Sequence, residues 1–410
     1  MVSRWVYVFA GLLANILLGT IYSWSVFRKP LELFVGWTSL ESSIPFSVFL
    51  LFFAVGMPVS GLLLKRYGAR RISPLGGLLV GIGWALSGLS LTTESPLLYV
   101  TLLYGVVAGS GVAMVYNSTI TVSSRWIPER RGLAVGLTVL GFGISPLVTA
   151  PLANYLITYH GVVNTFLELG TAYGAALMAI SVLMVLPPVE PRGSSSEKSL
   201  WQAAQSSEFT PSMMVRSRYF VGLWLAYALG TLGGFIAISQ AAKFGQEVVK
   251  LSPELAAAAT GVFAIFNGLG RPLFGHLGDR MQIHIVSSLS FLLVILAALL
   301  ATQSETFIIY MASYSILWLV FGGWLALAPK ATSVFFGIQN LSINYGIVFT
   351  AYGASAIAGP TLAAALWQLL GHYSPVFMTV AALSGLGLVI SNLLLRPPVI
   401  PRRMVLLKTR

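Results

Sequence analysis

The chain has no cysteine. Disulfides, thiolate metal sites and cysteine nucleophiles are therefore excluded. Charge is scarce too: Asp, Glu, Lys and Arg make up 9% of 410 residues, with 12 acids against 24 bases. An enzyme would need paired carboxylates, a metal cluster or a nucleophile with its base, and the apolar runs hold none of these. A Gly-x-x-x-x-Gly-Lys-Ser/Thr phosphate loop is also missing, so ATP-driven pumping has no support. The expectation is a non-enzyme without metal or cofactor. What fills the chain instead is 56% hydrophobic residues. They fall in runs of about 20, the length that crosses a ~30 Å hydrocarbon core. Continuous apolar runs exclude a closed barrel, whose strands would alternate.

Twelve spans are predicted, giving an all-α membrane protein. The first half holds Val6–Phe27, Ile44–Leu64, Ile72–Leu91, Leu97–Ser123, Gly132–Tyr159 and Val162–Leu186. The second holds Tyr219–Lys243, Leu255–Leu277, Ile285–Ala301, Phe307–Leu327, Ile338–Leu370 and Val376–Leu395. No Ala-x-Ala-like site follows the first run, so it is expected to be retained as a helix. Trp5, Trp24, Trp37 and Trp126 are expected as interface anchors. The Pro-, Ser- and charge-rich stretch between the halves reads as an aqueous linker with a short surface helix around Leu200–Ser206. The expected organisation is a six-helix bundle over 1–186, a linker over 187–218, a second bundle over 219–395 and a basic tail over 396–410.

Nineteen of the 24 Lys and Arg fall on the side that carries both ends and the linker, and four on the other. That side is predicted to be cytoplasmic, at a cell's inner (plasma) membrane. The excess of +12 is then topology and attraction to lipid, not a nucleic-acid footprint. The halves echo each other. Gly61-x-Leu63-x-Lys65-Arg66 recurs as Gly275-x-Leu277-x-Asp279-Arg280, and Leu186-Pro-Pro-Val-Glu-Pro-Arg192 as Arg396-Pro-Pro-Val-Ile-Pro-Arg402. Two parallel repeats with a site between them are a transporter build.

The outstanding residue is Arg271, the one charge expected deep inside a span, about 7 Å from the midplane at 1.5 Å per residue. A buried cation without an acid is a functional-site hypothesis, and its planar fork suits a carboxylate. Snorkelling, or bonding to backbone carbonyls, is the structural alternative. Polar candidates near the midplane include Tyr22, Asn117, Ser145, Asn267, Tyr314 and Tyr352. Leu317, Trp318 and Phe321 share a helix face as candidate walls. Taken singly, each serves packing as readily as ligand contact.

The segment Gly61-Leu-Leu-Leu-Lys-Arg-Tyr-Gly-Ala-Arg70-Arg71 resembles the signature of the major facilitator superfamily, with Lys65 where that family carries aspartate. Asp279-Arg280 keeps the acid in the second copy. The chain is similar to the oxalate/formate antiporter and monocarboxylate transporter branch. That similarity rests on Gly19-Thr-Ile-Tyr-Ser-Trp-Ser-Val-Phe27, Tyr116-Asn117, Arg125-Trp-Ile-Pro-Glu-Arg-Arg-Gly-Leu-Ala-Val-Gly136, Asn267-Gly-Leu-Gly-Arg271-Pro272 and Phe321-Gly322-Gly323. The resemblance implies a carboxylate on Arg271, Asn117 near the cavity, and Phe321 helping to set substrate size. It also implies a gate at Asp279, Arg280, Arg70 and Arg71. Tyr352 and Asn267 stand where relatives carry a lysine and an aspartate. A single cation matches a single negative charge, since a dianion would leave one charge unpaired in low dielectric. The expected function is alternating-access transport of lactate-, pyruvate- or formate-like anions, coupled to protons or a counter-anion, by a monomer. The alternatives are an oxalate-type dicarboxylate exchanger, with Tyr22, Tyr352 and Asn117 holding the second carboxylate, and a transporter-like sensor.

Overall fold

A computed structural model describes residues 3–38, 40–188, 208–303 and 306–396. Among the described residues ten stretches are long and apolar enough to cross a membrane. One of them, Pro128–Ser181, breaks at Gly161 and makes two crossings. Pro253–Arg280 packs among them as a further long helix. The described residues thus give twelve membrane helices. They are α1 (Trp5–Val35), α2 (Ile44–Tyr67), α3 (Ala69–Ser90), α4 (Pro96–Trp126), α5 (131–160) and α6 (162–181). The second set is α7 (Arg218–Glu247), α8 (Pro253–Arg280), α9 (Ile283–Ala301), α10 (Phe307–Phe336), α11 (Leu341–Leu370) and α12 (Ser374–Leu394). The proposed surface helix near Leu200–Ser206 and the basic tail from 397 lie outside the described residues.

Only closed hydrogen-bond ladders survive in hydrocarbon, so helices extend until water is reached. Turns occur where the backbone can reverse. Gly161 has φ 79° between α5 and α6, and Gly337 has φ 81° between α10 and α11, a region that L side chains avoid. Ser217, Ser252 and Thr306 cap the starts of α7, α8 and α10.

Packing repeats between the halves. In the first, α1 lies on α5, α2 on α4 and α3 on α6; in the second, α7 lies on α11, α8 on α10 and α9 on α12. Two seams join the halves, α5 with α8 and α2 with α11, and they too are exchanged by the repeat. Small residues allow the close approaches. Gly132 and Gly275 face each other so tightly that a Cβ on either would overlap the other's carbonyl. Exposed Phe9, Val55, Leu292 and Val389 lie on the outside, where lipid would cover them.

Three expectations are corrected. Trp24 and Trp37 are core residues and not interface anchors. Trp24 donates its indole N–H to the Ser42 carbonyl and stacks on Tyr104. Helix α1 does not stop at Phe27 but runs past Arg28 and Lys29 to Val35, with a 3-10 turn at Gly19–Ser23. Helix α10 does not stop at Leu327 but runs to Phe336, which puts Lys330 inside a helix. Charge there is tolerated because it is paired: Arg28 lies 4.0 Å from Glu32, and Lys330 lies 2.7 Å from Asp279.

Candidate functional site

Arg271 projects from α8 into the α5 seam and has 0% of its surface exposed. Its Nη1 donates to the Val139 carbonyl on α5 at 2.5 Å. Its Nη2 reaches Asn267 Oδ1, one turn back, at 3.4 Å. Its Nε is buried without a hydrogen-bond partner among the described residues. The guanidinium stands 5.8 Å from the centre of the Phe142 ring. A Cβ at Gly143 would come 2.9 Å from Nε, so the chain leaves room for the fork there. Among the described residues no carboxylate pairs with it. The cation rests on two neutral acceptors and a ring face, with its Nε donor unused. That is a poor substitute for an anion, because an unmade buried bond costs about 1–3 kcal/mol, and more for charged groups.

Around this cation the structure collects some of the expected residues. The Tyr22 hydroxyl is near enough to interact with the guanidinium. It also meets the Tyr352 hydroxyl at 2.7 Å, joining α1 to α11 across the molecule. Phe321 is fully buried against Phe235 and Tyr352. Arg271, Asn267, Tyr22, Tyr352 and Phe321 thus form one linked set. Phe142 and Phe349 belong to it and were missed: Phe142 sits edge-on to Tyr22, and Phe349 stacks on Tyr352. The signal for Phe142 was present in Gly141-Phe142-Gly143, where flanking glycines let α1 and α8 close on the ring.

Other expected residues lie elsewhere. Asn117 gives its amide to the carbonyls of Met57 and Ser342, at 3.2 and 3.0 Å, and so ties α2, α4 and α11 together. Ser145 donates to the Ile16 carbonyl at 2.6 Å. Tyr314 packs among Phe244, Phe263, Tyr310 and Phe377. Trp318 sits against Phe263, and Leu317 is buried on the same helix. Among the described residues neither the Tyr314 hydroxyl nor the Trp318 indole N–H has a hydrogen-bond partner. His160 and Glu168 pair with each other at 2.8 Å on the surface. No group of three or more His, Cys, Asp or Glu able to hold a metal occurs among the described residues.

The two seams close at the basic end. Asp279 accepts the backbone N–H groups of Gly132 and Leu133, at 2.9 and 2.8 Å, and pairs with Lys330. A carboxylate at the start of α5 suits the free N–H groups and the dipole there. On the other seam Lys65 donates to Asn340 Oδ1 at 2.7 Å, and Arg125 donates to the carbonyls of Ile338 and Gln339. Ser342 donates to the Gly61 carbonyl. Arg70, Arg71 and Arg280 are exposed at this end, without an ion pair among the described residues.

The chain matches the family model of the Major Facilitator Superfamily over residues 4–331. It is 27% identical over 380 residues to the oxalate:formate antiporter of Oxalobacter formigenes, covering 92% of this chain and 88% of that one. It is 26% identical to monocarboxylate transporter 12-B of Danio rerio, covering 82% and 74%. Among solved structures it matches the transporter FucP in its outward conformation with a TM-score of 0.70 at 14% identity, covering 96% of this chain and 100% of that one. The proton:xylose symporter XylE bound to 6-bromo-6-deoxy-D-glucose matches with a TM-score of 0.70 at 14% identity, covering 94% and 95%. Twelve helices in two like bundles, a family match over most of the length and transporters as relatives lead to one conclusion: the chain is a multi-pass membrane transporter, not an enzyme, and belongs to the Major Facilitator Superfamily.

Proposed function

We propose that the protein is a secondary active transporter of small monocarboxylate anions, of the lactate, pyruvate or formate kind. It works by alternating access, and Arg271 binds the carboxylate. One observation carries this reading: a fully buried arginine between the halves, held only by neutral acceptors and with Nε unused. A carboxylate would replace the Val139 carbonyl with a bidentate, charge-matched partner. Tyr22, Tyr352, Asn267 and Phe321 form the rest of the site. Ser145, Tyr314, Leu317, Trp318 and Asn117 support it through the packing described above. Residues 1–186 and 219–395 act as the two moving bundles. The basic end faces the cytoplasm of a cell bounded by its inner (plasma) membrane, so the conformation described is closed to the inside. Asp279 gates that end, and Arg70, Arg71 and Arg280 lie beside it. The protein acts as a monomer in the bilayer. Coupling to protons or to a counter-anion supplies the energy.

Exchange of a dicarboxylate such as oxalate is the second reading. The Tyr22–Tyr352 hydroxyl pair favours it, because it could open to hold a second carboxylate. Uptake of labelled lactate, pyruvate, formate and oxalate into proteoliposomes, with and without a pH gradient, decides between them. Arg271→Lys should keep the charge, lose the fork and cut uptake at least tenfold. Uptake equal to the parent's would remove Arg271 from the mechanism, and oxalate outrunning every monocarboxylate would select the second reading.

A further inference from the structure

The α2–α11 seam borders a partly open cavity of about 210 Å³ that is separate from Arg271. Lys65, Thr121 and Arg125 line it from the first half, and Gln339 and Ser342 from the second. Among the described residues no acid lines it. Glu208 accepts the Gln339 backbone N–H and lies near enough to act on Arg125, yet it does not line the cavity. Two cations therefore face one small space. Arg125 spends its Nη2 on two carbonyls, while its Nε is buried without a partner. Lys65 has one bond, to Asn340, of the three its ammonium can donate. The cavity has unused donors and two cations to the one nearby acid, and it exceeds the volume of one water several-fold.

We propose that this cavity is a second, regulatory anion site. It takes a small oxyanion, either free sulfate or phosphate or the phosphodiester of an anionic lipid. Its walls come from both halves, so the site exists only while the basic end is closed. An occupant cements Lys65 and Arg125 to the start of α11 and shifts the protein toward that closed state. A ligand that binds one state alone lowers the population of the other by the factor 1 + [L]/Kd. The inference rests on alternating access and not on which carboxylate is carried.

The absence of cysteine makes the test direct. Ile343 on α11 is 5% exposed, and its backbone packs against Gly61 of the other half. Ile343→Cys would supply the only thiol, reachable when the seam opens. Its maleimide labelling would be followed in phosphatidylcholine nanodiscs, in sulfate or in chloride at equal ionic strength. Sulfate should slow labelling by about tenfold at ten times its dissociation constant. Lys65→Gln, which can still donate to Asn340, should abolish the dependence on sulfate. Thr121→Val, which leaves both cations, should weaken it only in part and serves if Lys65→Gln does not fold. Slowing by phosphatidylglycerol nanodiscs without sulfate, lost in Lys65→Gln, would support the site and identify the lipid as occupant. Labelling indifferent to both sulfate and phosphatidylglycerol, or equally slowed in Lys65→Gln, would overturn it. Failure of monocarboxylate uptake would leave this readout untouched.

Discussion

The two seams occupy equivalent places in the repeat, yet they close with opposite charges. At α5–α8 the acid Asp279 takes the N–H groups that open α5. At α2–α11 the equivalent position is Lys65, which would repel the positive start of α11. The acid has not vanished from this seam. Glu208, in the linker between the halves, accepts the Gln339 N–H at the entry to α11, at 3.0 Å. Its neighbour Phe209 bonds the Phe336 carbonyl through its own N–H and takes the side-chain amides of Asn340 and Asn344 on its carbonyl. A helix start needs an acceptor whatever the sequence. The first seam finds it on the facing helix and the second on the linker between the halves. Lys65 is then free to bridge the halves through Asn340. The lesson is that the fold fixes the requirement and leaves the residue that meets it open.

The sharpest way to break the comparison is Asp279→Asn. It removes the charge at α5 and leaves Lys330, with a side chain 14% exposed, unpaired. The Lys330 pair lies within one half and its loss weakens both states alike, whereas losing the charge-assisted bonds to the α5 N–H groups costs about 2 kcal/mol, on the order of thirtyfold in the open-to-closed ratio. Labelling of Ile343→Cys should accelerate accordingly, and uptake should fall. An unchanged labelling rate would mean that the α5–α8 seam does not hold the gate.

Much of this was legible in the sequence. Twelve spans follow from apolar run length alone, and Arg271 stands out because charge inside a span is expensive. The ends of α1 and α10 were not legible, since Arg28 and Lys330 look like span boundaries until their acids are seen. Lys330 and Asp279 lie on different helices, and run length carries no information about such partners. Trp24 has the composition of an interface anchor, and only its bond to Ser42 shows that it is core. The relocation of the acid to Glu208 was equally hidden. Its partner Gln339 lies 131 residues away.

Glu208→Gln tests that relocation. Loss of a charge at a helix start costs roughly 1 kcal/mol, about fivefold in the open-to-closed ratio. Lys65→Asp on top of it should restore closure by rebuilding the second seam in the image of the first. Lys65→Asp alone should instead loosen the seam, because it places two acids at one helix start and drops the bond to Asn340. Labelling of Ile343→Cys in the four proteins gives the coupling between the sites. Strict additivity would mean that Glu208 and position 65 do not serve the same helix end.

The smallest effect is expected from Asn340→Ala. Asn340 faces both ways, accepting from Lys65 through Oδ1 and donating to the Phe209 carbonyl through Nδ2. Its removal deletes one charge-assisted and one neutral bond. Asn344 still holds Phe209, and Lys65 can turn to water. Such bonds are each worth about 1 kcal/mol net, less where a solvated alternative exists. The variant should therefore label only a few-fold faster than its parent. If it instead matched Asp279→Asn, the bridge between linker and seam would be the main lock at the basic end, and the α5–α8 contacts would be secondary to it.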